Sequence, residues 1–190
     1  GFSLQQSLIV PALTTIQRDL GASATTTTWL VTGFLLSSSV ATPIIGRVGD
    51  MFGRKRVMLL SLLVLSGSTA LAAVAHTIEL LVAARIVQGL AGAIVPLSFG
   101  IVRDELPPTR VAGGIGVISA MLAVGAALGI VFSGPIVTGL GVTWLFWLPL
   151  LTLVPTLVAA WRFIPESAPG TREPVDVPGG VLLTAWLVCL

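Results

Sequence analysis

The stretch Gly46-Arg47-Val48-Gly49-Asp50-Met51-Phe52-Gly53-Arg54-Lys55-Arg56 decides how the chain is read. It gathers one acid, four basic residues and three glycines between two apolar runs, residues 25–45 and 57–75. A bilayer core about 30 Å thick needs roughly 20 apolar residues per helix. Each flank is long enough to cross it, so the charged stretch connects two spans. Its glycines permit a turn too tight for a Cβ and a close approach of helices. The acid followed by bases offers charge-assisted hydrogen bonds that can clamp a helix end and release it.

Working outward, cutting the chain at its charge clusters yields four more spans, at residues 1–17, 78–102, 111–137 and 144–161. We expect an all-α integral membrane fold with a six-helix bundle over residues 1–163 and a cytoplasmic linker over 164–178. Residues 179–190 read as the start of a seventh helix, and the short first and last runs suggest a piece of a longer polytopic chain. The composition agrees: 55% of the 190 residues are hydrophobic and only 9% are charged, against about a quarter charged in a soluble domain. A net charge of +2 without a basic stripe gives no footprint for nucleic acid. With His76 as the one histidine and Cys189 as the one cysteine, neither a metal site nor a cofactor is expected.

The ten Lys and Arg residues set the orientation. Eight of them (Arg47, Arg54, Lys55, Arg56, Arg103, Arg110, Arg162 and Arg172) fall after the second, fourth and sixth spans. Only Arg18 falls on the other side, and Arg85 lies within a span. The positive-inside rule makes the connections after even-numbered spans cytoplasmic. The N-terminus then lies on the same side, in a multi-pass protein of the plasma membrane.

The pattern Gly46-x-x-x-Asp50-x-x-Gly53-Arg54-Lys55 arises by chance in on the order of one chain in a few thousand. It resembles the signature between helices 2 and 3 of the major facilitator superfamily, and the resemblance extends over all 190 residues. The resemblance implies a six-helix N-terminal bundle of two inverted three-helix repeats. It implies that Asp50 helps lock a cytoplasmic gate, with Gly46, Gly49, Gly53, Lys55 and Arg56 in the same motif, and that Arg54 pairs with Asp104 at the foot of the fourth span.

Arg85 is the only ionisable residue well inside any span, about seven residues or roughly 10 Å past the outer boundary. A charge at that depth is costly and usually faces a bundle interior or a watery cavity. Gln88, Gly92 and Pro96 share its helical face, making that face polar and close-packed. The alternative is a structural arginine that snorkels or binds backbone carbonyls. The segment Arg85-Ile86-Val87-Gln88-Gly89 is similar to the family's helix-4 motif, which implies a role in the cavity and in proton or substrate coupling. Gln5 and Gln6 bring polar groups to the equivalent place in the first repeat. They serve a polar cavity wall or interhelical hydrogen bonds.

In the fifth span, Gly125, Gly129, Gly134 and Pro135 form a small-residue ridge that resembles the family's antiporter motif, with Ile130 and Ser133 departing from it. The first span is similar to that of the 14-helix drug:proton antiporter branch, except that Gln5 stands where that branch often carries Asp. Trp29, Trp144, Trp147 and Trp161 fall near span ends and suit an interfacial belt of anchors, with Trp29 the best candidate among them for substrate contact.

These features imply a secondary transporter and not an enzyme. Its partners are the lipid bilayer, a small-molecule substrate, protons and the C-terminal half of the same transporter. The expected activity is proton-coupled efflux of small hydrophobic or cationic compounds by alternating access. Two readings compete with it: a transporter of another solute without proton coupling, and a sensor or scaffold of the same fold that does not transport.

Overall fold

The computed structural model describes residues Phe2–Pro165. Seven α-helices run in sequence: α1 Phe2–Asp19, α2 Ala24–Phe52, α3 Arg54–Ala73, α4 Ile78–Gly89, α5 Ile94–Glu105, α6 Pro108–Leu140 and α7 Trp144–Phe163. A 3₁₀ turn, Leu90–Ala93, joins α4 to α5. Together those three pieces make one rod, the fourth of six. Pro96 explains the interruption. It has no N–H for the Gly92 carbonyl and its ring crowds that oxygen, so the turn before it tightens. Most of the linker and the whole expected start of a seventh helix, residues 166–190, lie outside the described residues.

Counting α4 to α5 as one, five of the described helices are long and apolar enough to cross a membrane. The sequence led us to expect six. The first helix falls short because Gln5, Gln6, Ser7, Thr14, Thr15 and Gln17 dilute its apolar content. Of these polar residues only Gln5 is buried, together with the apolar Leu8, Ile9, Ala12 and Ile16 that pack α1 against other helices.

Helix ends follow local chemistry. Ser23 caps α2, its hydroxyl accepting from the Thr26 N–H at 3.0 Å, and Thr77 caps α4 by accepting from the Leu80 N–H. Glu79 lies in the first turn of α4, where the helix dipole favours an acid. Gly53 alone separates α2 from α3, at a φ of 98° that side chains rarely adopt.

The closest pairings are α2 with the α4–α5 rod, α1 with α6, α3 with that rod, and α3 with α7. With the six rods numbered in order, exchanging rods 1–3 with rods 4–6 converts the α1–α6 pair into the pair of α2 with the rod and leaves the α3–α7 pair unchanged, as two inverted three-helix units would. The extensive contact of α3 with the rod departs from that symmetry, since its counterpart, α1 with α7, is sparse. The interior has three apolar clusters, one around Leu8, Ile16, Leu81, Leu145 and Phe146, another around Leu62, Leu65, Ile94 and Leu153, and a third of Val57, Ala93 and Leu97. Outward-facing residues of α6, including Val117, Met121, Val124 and Val131, are exposed and apolar, a surface suited to lipid or to further transmembrane helices and not to water.

Candidate functional site

The charged motif read as a loop is helical. At 29 residues, α2 extends about 43 Å, well beyond a hydrocarbon core about 30 Å thick. Its last turns therefore carry Arg47 and Asp50 outside the apolar layer without breaking the helix. The motif's glycines differ in use. A Cβ at Gly49 would collide with Leu97 of α5, Gly53 supplies the positive-φ turn, and Gly46 has open space around it.

Arg54 begins α3 and reaches two acids. Its Nε donates to Asp50 Oδ1 at 2.9 Å, and its Nη1 donates to Asp104 Oδ2 at 2.6 Å. The same Nη1 donates to the Gly100 carbonyl at 3.0 Å. Three rod ends are thus tied by one guanidinium, which is partly exposed beside a hollow of about 330 Å³. Lys55 and Arg56 follow in the first turn of α3. Gly100 was not singled out from the sequence. Nothing in a glycine between Phe99 and Ile101 signals that a distant arginine will occupy its side-chain space.

A second cluster lies inside the bundle. Arg85 is only 2% exposed. Its Nε donates to the Leu30 carbonyl at 3.0 Å, its Nη1 to Gln88 Oε1 at 2.8 Å and its Nη2 to Gln6 Oε1 at 2.8 Å. The guanidinium carbon sits 4.6 Å from the Phe34 ring centre, within cation–π range. Gln5 and Gln88 both donate to the hydroxyl of Thr69, at 2.8 and 3.1 Å. Thr69 in turn donates to the Leu65 carbonyl at 2.6 Å, which forces the two amides to present N–H to it. Gln5 Oε1 is left buried without a partner. Thr69 and Phe34, at the centre of this network, were not selected from sequence, because a threonine or phenylalanine in an apolar helix looks like ordinary packing.

Arg85 and Gln6 line a cavity of about 560 Å³, together with Val10, Val31, Phe34 and Ile130 from α1, α2 and α6. Gly92 and Pro96 continue the Arg85 face along α2: Arg85 meets Leu30 and Phe34, Gly92 packs against Ser38 and Thr42, and Pro96 shares a hollow with Gly46 and Asp50. Gly89 packs tightly as well, since a Cβ there would fall 2.6 Å from the Phe34 carbonyl. Trp29, at 47% exposed, is not among the cavity-lining residues.

The α6 ridge divides in two. Gly125 and Gly129 lie against α1, where a Cβ at 129 would stand 2.7 Å from the Leu4 carbonyl. Ser133 donates to the Leu8 carbonyl at 2.6 Å. Gly134 meets nothing within 4 Å, so the ridge continues through Ser133 and not through Gly134 and the neighbouring Pro135. Among the described residues no group of three or more His, Cys, Asp or Glu could hold a metal ion.

A model of the Major Facilitator Superfamily matches residues 1–189. The chain belongs to that family, and is a multi-pass membrane protein of its transporter fold. It is 32% identical over 180 residues to a protein of Streptomyces coelicolor named "Probable actinorhodin transporter", covering 92% of this chain and 31% of that one. It is 27% identical over 189 residues to multidrug resistance protein 3 of Bacillus subtilis, covering 99% of this chain and 37% of that one. The chain therefore spans about a third of the length of these curated relatives. A crystal structure of the human organic anion transporter MFSD10 matches the fold with a TM-score of 0.66 at 20% identity, over 96% of this chain and 51% of that one.

Proposed function

We propose that the intact protein is a proton-coupled exporter of small hydrophobic compounds in the plasma membrane, belonging to the 14-helix branch and working by alternating access. Residues 1–163 then act as one rocking bundle with its N-terminus in the cytoplasm, followed by the 164–178 linker and the helix that begins at 179. The observation that carries this reading is Arg85, buried within an apolar span yet on the wall of a cavity shared by α1, α2 and α6. Membrane proteins retain a cation at such depth chiefly where it serves a substrate or ion path. In this reading Asp50, Arg54 and Asp104 form the cytoplasmic latch, Gln6 and Gln88 orient Arg85, and Gly125 and Gly129 hold α6 against α1. The multidrug-resistance name of the Bacillus subtilis relative supports export as the direction.

The test is a full-length preparation in proteoliposomes loaded with a neutral lipophilic dye. An imposed pH gradient should drive dye movement, an ionophore that dissipates the gradient should stop it, and Arg85→Gln should abolish it. Dye movement indifferent to the gradient would instead support a second reading, transport without proton coupling. A specific feature favours that alternative: Gln5 and Gln6 cannot titrate, and every described Asp and Glu lies within the first or last turn of a helix.

A further inference from the structure

Among the described residues, Arg85 is a buried cation whose contacts are neutral groups. Its three hydrogen-bond acceptors, the Leu30 carbonyl, Gln88 and Gln6, are all uncharged. The Phe34 ring offers a negative face but no net charge. Among the described residues the acids are Asp19, Asp50, Glu79, Asp104 and Glu105, all near helix ends, and Arg54 engages Asp50 and Asp104. A guanidinium carries five N–H groups. Three are used, which leaves one on each terminal nitrogen of a residue that lines the cavity.

We infer that this cavity selects lipophilic anions, molecules with a carboxylate or ionised phenol that docks on Arg85 and an apolar body that lies against Val10, Val31, Leu35 and Ile130. The inference rests on reading the cavity as the transport site and names the charge of its cargo. The physical reason is compensation. A full positive charge held by dipoles alone in a low-dielectric interior is poorly stabilised. A bound anion supplies the opposite charge and accepts the spare N–H groups, and charge-assisted hydrogen bonds of that kind are the strong ones. A cationic ligand would add like charge at short range where screening is weak. The amides of Gln6 and Gln88 leave that repulsion standing.

Three matched probes test it on the purified full-length protein: 2-naphthoate, 2-naphthamide and 2-naphthylmethylammonium. Binding is read by competition against radiolabelled 2-naphthoate in a scintillation proximity assay. The naphthoate should bind about ten-fold or more tightly than the amide, the ammonium should be weakest, and Arg85→Gln should level the series while the protein stays monodisperse. The wild-type ranking needs no variant and stands alone if Arg85→Gln fails to fold. Equal affinities, a preference for the ammonium, or no saturable naphthoate binding would overturn the inference. A carboxylate brought to Arg85 by the rest of the intact protein would appear as that ammonium preference. Gradient-driven movement of the neutral dye tests the transport reading separately. If it persists without anion preference, only the charge selectivity falls. If the preference holds and the dye moves regardless of the gradient, only proton coupling falls.

Discussion

Arg54 lies across Gly100. Its Nη1 donates to the Gly100 carbonyl, and a Cβ at residue 100 would stand 2.7 Å from Arg54 Nε. The arginine reaches Asp104 by occupying space that any other residue at position 100 would fill. Because the obstructing atoms belong to a flexible side chain, Gly100→Ala should displace Arg54 more than it strains the bundle. Asp104→Asn alone should cost about 0.2–1 kcal/mol, as partly exposed pairs do. In the Gly100→Ala background it should cost nothing further, since coupled sites are not additive. Thermal melting of the four proteins of that cycle checks the prediction, and full additivity would refute it.

Reversing the Arg54–Asp104 pair gives a graded outcome. Arg54→Asp and Asp104→Arg should each abolish export. The double reversal should restore only part of it, because carboxylates would then neighbour each other at positions 50 and 54. Adding Asp50→Asn to the double reversal should raise the rate again. Export by vesicles carrying each combination is the measurement, and a double reversal no better than either single change would speak against the pair's role.

Thr69 joins Gln5 to Gln88 through one hydroxyl. Thr69→Val keeps the shape but strands two buried N–H groups, which should cost about 1–3 kcal/mol per unsatisfied group. Thr69→Ser should be nearly silent. Equal melting temperatures for the valine and serine variants would remove the hydroxyl from the account of stability.

The two halves of the α6 ridge should respond differently. Gly129→Ala drives a methyl into the α1 backbone and should destabilise by about 1–3 kcal/mol. Gly134→Ala meets open space and should be neutral, or stabilising by up to about 1 kcal/mol through helix propensity. Comparable losses at both positions would mean that α1 and α6 do not meet along this line.

Much of the architecture was readable because a bilayer imposes a length on every apolar run. The span positions and the place of Arg85 inside the fourth span follow from where charge interrupts hydrophobicity, and the Arg54–Asp104 contact from the resemblance of the motif. Helix ends were read short for the same reason: charge marks where the hydrocarbon stops, but the backbone ladder of α2 continues through Arg47 and Asp50 to Phe52. What escaped was relational. Thr69, Phe34 and Gly100 matter through partners far away in sequence, and no local pattern marks a threonine as the meeting point of two glutamines. Ser133 reads as a departure from the antiporter pattern, yet its hydroxyl extends the contact with α1.

The one-residue joint at Gly53 has a mechanical consequence. Helices of 29 and 20 residues share a one-residue corner, so the end of one cannot shift far without carrying the end of the other. A longer connector would absorb that motion by flexing. In the proposed alternating-access cycle Asp50 and Arg54, on either side of the corner, would travel together, and the latch would part where Arg54 meets Asp104 of α5. Lengthening the corner by a few flexible residues would work like slipping a clutch, leaving each rod whole while uncoupling their movements.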